Sequence, residues 1–133
     1  MGGERIKPLI LAVNKDPDIL TLITMVLEEN YRIIEARSGL EGLDFAQRCP
    51  LVKTIIVDVY ESELGGLNII DILGVLPESK KIPLLLMGAD KKFLDIWEQR
   101  PRTDTRMIEC LDMPFNLQDL NNKLDSLINP KLI

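Results

Sequence analysis

The chain has 133 residues, 46% of them hydrophobic and 28% charged, and a net charge of −5. This length and balance are typical of one folded domain and exclude wholesale disorder, while the negative charge disfavours binding to nucleic acid or to an acidic membrane. No histidine is present, which excludes His-based catalytic triads and His-ligated zinc hydrolase sites.

The first half of the chain alternates apolar runs with amphipathic stretches. Asp16-Pro17 is typical of an N-cap followed by the first helical residue, because proline needs no amide partner there. Ser38 with Glu41 three residues later forms a capping box. These patterns predict strands at 8–13 and 32–36 and helices at 17–29 and 39–47.

Residues 54–60 form a β-branched, apolar run that carries a single acid, Asp58. The lack of alternation is typical of a strand buried on both faces of a parallel sheet. Because a lone carboxylate is costly to bury inside such a strand, we expect Asp58 at its carboxyl end, where ligand crevices open in α/β sheets. Asp58 is there either a reactive group or a structural acid with a fixed partner.

The second half of the chain continues the alternation of strands and helices. Apolar spacing from Leu67 to Leu76 predicts a helix, and the polar stretch at 99–106, which contains Pro101, predicts a loop. Five strand–helix alternations predict an α/β fold with a parallel sheet and helices on both faces. The remaining predicted elements are strands at 82–87 and 107–112, a short helix capped by Asp90 and a last helix capped by Asn116.

Residues 8–128 are predicted to form the single domain, with loose ends at 1–7 and 129–133. No apolar run approaches the ~18 residues that span a bilayer, and the start has no apolar signal-peptide core. Cys49 and Cys110 are too few and too far apart for a disulfide framework or a zinc site. We therefore expect a cytoplasmic protein with two buried thiols and no contact with membranes.

The loops after the first, third, fourth and fifth strands of such a sheet can share one crevice. These loops bring together polar and small residues whose chemistry would decide what the crevice binds. The candidate site residues are Asn14, Lys15 and Asp16 after the first strand, Asp58 and Tyr60 on the third, Gly88 and Ala89 after the fourth, and Met113 after the fifth.

Several stretches of the chain, taken in order, resemble the receiver domain of two-component response regulators, of which the chemotaxis response regulator is the simplest type. The resemblance implies a single doubly wound, flavodoxin-like sheet of five parallel strands in the order 2-1-3-4-5, with five helices. It covers nearly the whole chain. The matching stretches are residues 11–18, 35–43, 55–58 with Gly66 eight residues later, 82–85 and 113–115.

In the receiver family, the aspartate that matches Asp58 accepts a phosphoryl group from a histidine kinase. The charge of that group must be neutralised by a divalent cation and fixed donors. The family supplies two acids after the first strand for Mg²⁺, a Ser or Thr after the fourth, and a Lys after the fifth. This chain has Asn14 and Lys15, Gly88 and Met113 at those positions, and Cys110 in place of a switching aromatic residue.

These departures favour a pseudo-receiver that binds Mg²⁺ weakly or not at all and acts through protein contacts rather than as an enzyme. We expect the Lys15 ammonium to pair with Asp58 in place of the metal, the alternative being a solvated Lys15. Asp16 remains nearby as a substitute carboxylate. A working phosphoacceptor receiver is the second hypothesis. A binder of flavin mononucleotide is the third, and it is disfavoured because residues 14–17 lack a phosphate-binding nest.

The resemblance also implies a partner protein, either a histidine kinase or a downstream signalling protein, and a homodimer surface on the fourth helix, fifth strand and fifth helix. Trp97 is expected in the core, with a partner anchor as the alternative. Tyr60 either shields the acid on its strand or is a half-exposed loop residue. Arg100, Arg102 and Arg106 are expected to form an exposed basic cluster, either solvated or in contact with an acidic partner.

Overall fold

A computed structural model describes residues 6–59, 66–99 and 106–130, without the side chains of residues 66–68. Tyr60, Arg100 and Arg102 therefore lie outside the described residues. No helix in the described part of the chain has the length and apolar character needed to cross a bilayer. The elements are β1 (Leu9–Val13), α1 (Pro17–Leu27), β2 (Arg32–Ala36), α2 (Gly39–Arg48), β3 (Val52–Asp58), α3 (Gly66–Val75), β4 (Leu84–Met87), α4 (Lys91–Glu98), β5 (Ile108–Leu111) and α5 (Leu117–Ile128).

The five strands form one parallel sheet in the order β2-β1-β3-β4-β5. This arrangement confirms the predicted doubly wound α/β fold. The strand order reverses between β1 and β3, so the crevice expected at such a switch point lies beyond the carboxyl ends of these two strands. Val13 of β1 is in register with Val57 of β3, and the residues that follow them, Asn14 and Asp58, therefore enter the crevice side by side.

Alternate side chains of each strand enter two separate cores, one on each face of the sheet. Leu11 and Ile55 pack on the face that α3 and α4 cover. Ile10, Ile56 and Leu85 pack on the opposite face, against α1 and α5. Because both faces are covered, β1 and β4 are apolar along their whole length rather than alternating.

The predicted helix starts are confirmed by side chains that accept a hydrogen bond from the first turn. Asp16, Ser38, Asp90 and Asn116 each cap a helix in this way. Such caps satisfy backbone N–H groups that have no partner inside the helix. They are local signals, which explains why the sequence pattern located them without knowledge of the fold.

Arg106 contradicts the prediction of an exposed basic cluster. It is 6% exposed, and its guanidinium donates a 2.6 Å hydrogen bond to the backbone carbonyl of Ile70 in α3. The polar residues around Arg106 in the sequence predicted solvent exposure. In the structure, Arg106 precedes β5 and contacts α3 through its bond to Ile70. Its charge is therefore part of the folded structure rather than of a solvated loop.

Gly42 allows α2 to approach β1 closely. A Cβ atom at this position would lie 2.6 Å from Cγ2 and 3.2 Å from Cγ1 of Val13, which is itself buried. We expect Gly42→Ala to lower the free energy of unfolding by about 1–2 kcal/mol, because overpacking outweighs the gain in helix propensity. Urea denaturation measures this change.

The matched control is the double variant Gly42→Ala with Val13→Ala, in which the clashing methyl groups are gone. If the clash is the cause, the cost of Gly42→Ala in the Val13→Ala background disappears or changes sign. An equal cost in both backgrounds would contradict the proposed contact.

Candidate functional site: the crevice at the carboxyl end of β1 and β3

Asp58 is the last residue of β3 and is half-buried. Its neighbours along the strand, Val57 and Val59, are buried, and the backbone N–H of Val59 donates to the carbonyl of Met87 at 3.0 Å. The strand thus holds the backbone on both sides of Asp58 while the carboxylate reaches the crevice. The prediction that this acid lies at the carboxyl end of its strand is confirmed.

Asn14 connects Asp58 to the start of α1. Its side chain is 3% exposed, and its backbone N–H donates to the carbonyl of Ala36 at 3.0 Å. The side-chain oxygen accepts the backbone N–H of Asp16 at 2.9 Å, and the side-chain nitrogen donates to Oδ2 of Asp58 at 3.2 Å. Because the Asp16 N–H can only donate, its bond fixes which end of the amide faces Asp58. The Asn14 amide therefore directs its N–H donor, and not its oxygen, toward the Asp58 carboxylate.

Asp16, the predicted substitute carboxylate, lies at the start of α1. Its Oδ1 accepts the backbone N–H of Asp18 at 2.9 Å, which makes it the N-cap of α1. A carboxylate in this position also interacts favourably with the positive end of the helix dipole. The acid predicted as a replacement ligand thus has a structural role in starting the helix.

Lys15 does not form the predicted ion pair with Asp58. Its side chain is exposed. Among the described residues, the salt bridge that the structure contains joins two other residues, Arg48 and Asp44. The physical reason is that the chain turns from β1 into α1 with Asn14 directed inward, so that the next side chain points outward. An amide loses less hydration free energy than an ammonium when it is buried, which favours this choice.

Gly88 and Ala89 form the crevice wall after β4. Gly88 has a positive φ of 80° and its N–H donates to the carbonyl of Leu111 at 2.9 Å, while Ala89 is buried. Neither residue has a polar side chain. A threonine at the Gly88 position would be strained, because β-branched residues rarely adopt this backbone conformation.

Cys110 lies on β5, and Met113 follows this strand. Met113 is exposed and joins Pro114 through a cis peptide bond. Cys110 is half-buried, and Lys123 of α5 donates a hydrogen bond to its carbonyl. Burial raises the pKa of the Cys110 thiol, while the Lys123 charge lowers it to a smaller extent. The thiol is thus less reactive than an exposed one. Lys123 was missed in the sequence because its bond to the Cys110 carbonyl depends on how α5 packs against β5, which no local pattern shows.

The described residues of the crevice do not supply the clustered oxygen ligands of a magnesium site. Mg²⁺ prefers clustered oxygen ligands in octahedral geometry, but the Asn14 oxygen is bonded to Asp16 and the Asp16 carboxylate caps α1. In the described ranges no group of three or more His, Cys, Asp or Glu residues could hold a metal ion. Among the described residues, the Asn14 amide donates a hydrogen bond to the Asp58 carboxylate.

The chain is similar in sequence to parts of two longer proteins. No protein-family model matches the chain. It is 31% identical over 87 residues to the response regulator GtcR of Aneurinibacillus migulanus, an alignment that covers 65% of this chain and 34% of that protein. It is 28% identical over 78 residues to a probable cyclic di-GMP phosphodiesterase of Vibrio cholerae, which covers 59% of this chain and 18% of that protein. The chain thus matches about a third or less of these relatives' length.

Solved structures resemble the whole fold. The receiver domain of the sensor histidine kinase PA1611 of Pseudomonas aeruginosa superposes with a TM-score of 0.79 and 21% identity, covering 92% of this chain and 98% of that one. The chain has the receiver-domain fold. Chemotaxis protein CheY4 of Vibrio cholerae gives a TM-score of 0.78 and 22% identity, with 92% and 99% coverage. The PA1611 receiver domain coordinates a magnesium ion in its active-site cleft, whereas the receiver fold of this chain places Asn14 and an exposed Lys15 at its own crevice.

Proposed function

We propose that the chain is a pseudo-receiver, a protein-interaction module of a two-component or related signalling pathway whose output does not depend on phosphorylation of Asp58. The observation that carries the proposal is the orientation of Asn14. Its amide nitrogen donates to Asp58 at 3.2 Å while its oxygen accepts from Asp16 at 2.9 Å. In a receiver that is phosphorylated, we expect an anionic metal ligand at this position, whereas Asn14 is a neutral hydrogen-bond donor.

The chemistry of phosphoryl transfer explains why this matters. A phosphoryl group brought to a carboxylate adds negative charge to an existing negative charge, and a cation with fixed donors must stabilise the transition state. The Asn14 amide is neutral, Gly88 has no side-chain donor, and Met113 has no charge. Each replacement removes one stabilising interaction, so we expect phosphorylation of Asp58 to be inefficient.

The surface formed by α4, β5 and α5 is the proposed site of protein contact. Ile96 of α4 and Leu117 of α5 are 47% and 48% exposed, and Met113, which follows β5, is 42% exposed. A patch of exposed apolar side chains favours burial against another protein. In this proposal the partner is a histidine kinase, a downstream signalling protein or a second copy of the chain, contacted in the cytoplasm, and the module itself catalyses no reaction.

A working phosphoacceptor is the second candidate function. It is favoured by Asp58 itself, which remains at the carboxyl end of β3 with its carboxylate directed to the crevice. In that case we expect a partner kinase to add positive charge, at the moment of transfer, to what the described crevice residues provide. The two candidates make opposite predictions for an isolated sample.

Incubation of the purified protein with acetyl phosphate and MgCl₂ separates the two candidates. We expect intact-mass spectrometry to show no phosphorylated species, because the described crevice residues offer neither a clustered set of oxygen ligands nor a lysine paired with Asp58. Asp58→Ala is the matched control, since it removes the acceptor oxygen and leaves the rest of the crevice. Sedimentation velocity of the same samples should show one oligomeric state, unchanged by the phosphodonor.

A phosphate adduct on the wild-type protein that is absent from Asp58→Ala would establish the second candidate and refute the pseudo-receiver. An adduct present on both proteins would identify modification elsewhere and leave the prediction for Asp58 correct. A change in sedimentation with acetyl phosphate in the wild type alone would also refute phosphorylation-independent output.

A further inference from the structure

A cleft of about 450 Å³ lies at the amino-terminal edge of the sheet, opposite the Asp58 crevice. Lys53 near the start of β3 is one of its lining residues. Asp58 ends the same strand five residues later, so the two sites are separated by roughly 16 Å along it at about 3.3 Å per residue. The described lining consists of Lys53, Lys81, Pro83, Arg106, Met107, Leu127, Ile128 and Pro130.

All charged residues in this described lining are positive. They are Lys53, Lys81 and Arg106, in a chain whose net charge is −5. The two lysines are exposed and can adjust to a ligand, whereas Arg106 is 6% exposed and is held by its bond to the Ile70 carbonyl. A guanidinium does not lose its proton on burial, so it places a permanent positive charge in the wall of the cleft.

The other lining residues are apolar and come from three parts of the fold. Pro83 precedes β4, Met107 precedes β5, and Leu127, Ile128 and Pro130 lie at the end of α5. An apolar surface next to a few positive groups is the composition of small-molecule sites, and the volume falls within their usual range of ~300–1,000 Å³. A ligand complementary to both parts has an apolar body and a negatively charged head.

We propose that this cleft binds a small organic anion with an apolar body, whose carboxylate or phosphate contacts Lys53, Lys81 and Arg106. Helix α5 ends beside the cleft, and cations near a helix C-terminus interact favourably with its dipole without any ligand. An acidic surface also adjoins the cleft, since Glu109 and Asp125 line a neighbouring depression that shares Met107 and Pro130. The experiment must therefore distinguish an anion site from charges that only stabilise the helix.

Titration of ¹⁵N-labelled protein with phenyl phosphate, followed by amide chemical shifts, tests the site directly. Benzoate has the same ring with a carboxylate, and benzyl alcohol has the ring without charge. We expect saturable shifts at residues 53, 81, 107 and 127 with at least one of the anions and not with benzyl alcohol. Comparison of phenyl phosphate with benzoate then identifies which head group the site prefers.

The double variant Lys53→Gln with Lys81→Gln should weaken anion binding by about tenfold or more, because two favourable charge interactions are lost. The matched control is Lys91→Gln with Lys92→Gln, which changes the net charge equally at two exposed positions of α4 outside the cleft. We expect this control to change affinity by less than about twofold, since distant charges are screened. Thermal melts verify that both variants fold.

Absence of saturable shifts from either anion would overturn the proposal and assign the three cations to stabilisation of α5. Equal weakening by the two double variants would also overturn it, because it would show a general charge effect. Asp58→Ala should bind the anions as the wild type does, and a loss of binding in that variant would place the anion in the other crevice.

Discussion

Asn14→Asp is expected to lower the free energy of unfolding at pH 7 by about 2 kcal/mol. The substitution replaces the amide nitrogen that donates to Asp58 at 3.2 Å by a second carboxylate oxygen. A charge-assisted hydrogen bond is lost, and two negative charges are forced together in a partly buried crevice. The oxygen that accepts the Asp16 N–H is retained, so the start of α1 should be unaffected.

The same variant should gain two responses that the wild type lacks. Mg²⁺ should restore stability, because a cation that binds the new acid pair in the folded state stabilises that state by mass action. Lowering the pH should also restore it. Repulsion disfavours the doubly charged acid pair in the folded state of the variant. The loss in free energy of unfolding is therefore absent when one carboxyl is protonated, and it grows as the pH rises above about 4. Urea denaturation at pH 4 and pH 7, each with and without MgCl₂, measures both responses.

Asn14→Ala is the matched control for this prediction. It also removes the amide donor but adds no charge. Its loss of stability should therefore not respond to Mg²⁺, and lowering the pH should not restore stability as it does in Asn14→Asp. If Asn14→Asp were as stable as the wild type at pH 7 without a metal, the Asn14–Asp58 hydrogen bond would contribute nothing. The central observation of the proposed function would then be wrong.

Trp97→Ala is expected to lower the free energy of unfolding by about 3–5 kcal/mol. Trp97 is 7% exposed, and its ring stacks on Phe93 one turn earlier in α4, with the centroids 6.4 Å apart. Truncation would leave a cavity between α4 and the sheet that this short helix could not close without losing its own position. Chemical denaturation followed by far-UV circular dichroism measures the change, since the tryptophan signal is lost.

Ile96→Ala is the matched control on the adjacent residue. Ile96 is 47% exposed, so its truncation should cost less than about 1 kcal/mol. A small effect of Trp97→Ala, together with loss of binding to a partner protein, would favour the alternative in which this residue is an interface anchor. The observed burial already favours the core, which confirms the simpler of the two interpretations made from the sequence.

Most of the fold was predictable because its determinants are local or periodic. Apolar runs without alternation predicted strands covered on both faces, and β3 confirms this around Ile55 and Ile56. The caps at Ser38 and Asn116 were predictable because each is formed by a side chain and the backbone amide three residues later. Strand β3 begins at Val52 rather than at residue 54, because its pairing with β1 begins there.

Pairings between side chains at the crevice were decided by the three-dimensional arrangement alone. Asn14 and Lys15 are neighbours in the chain, and only the turn from β1 into α1 determines which of them faces Asp58. The buried position went to the residue that loses less hydration energy and can bond Asp16 as well as Asp58. Arg106 was misjudged for a related reason: its charge predicts exposure, but contact with α3, distant in sequence, buries it. Such contacts depend on where whole elements pack, which no local pattern of residues encodes.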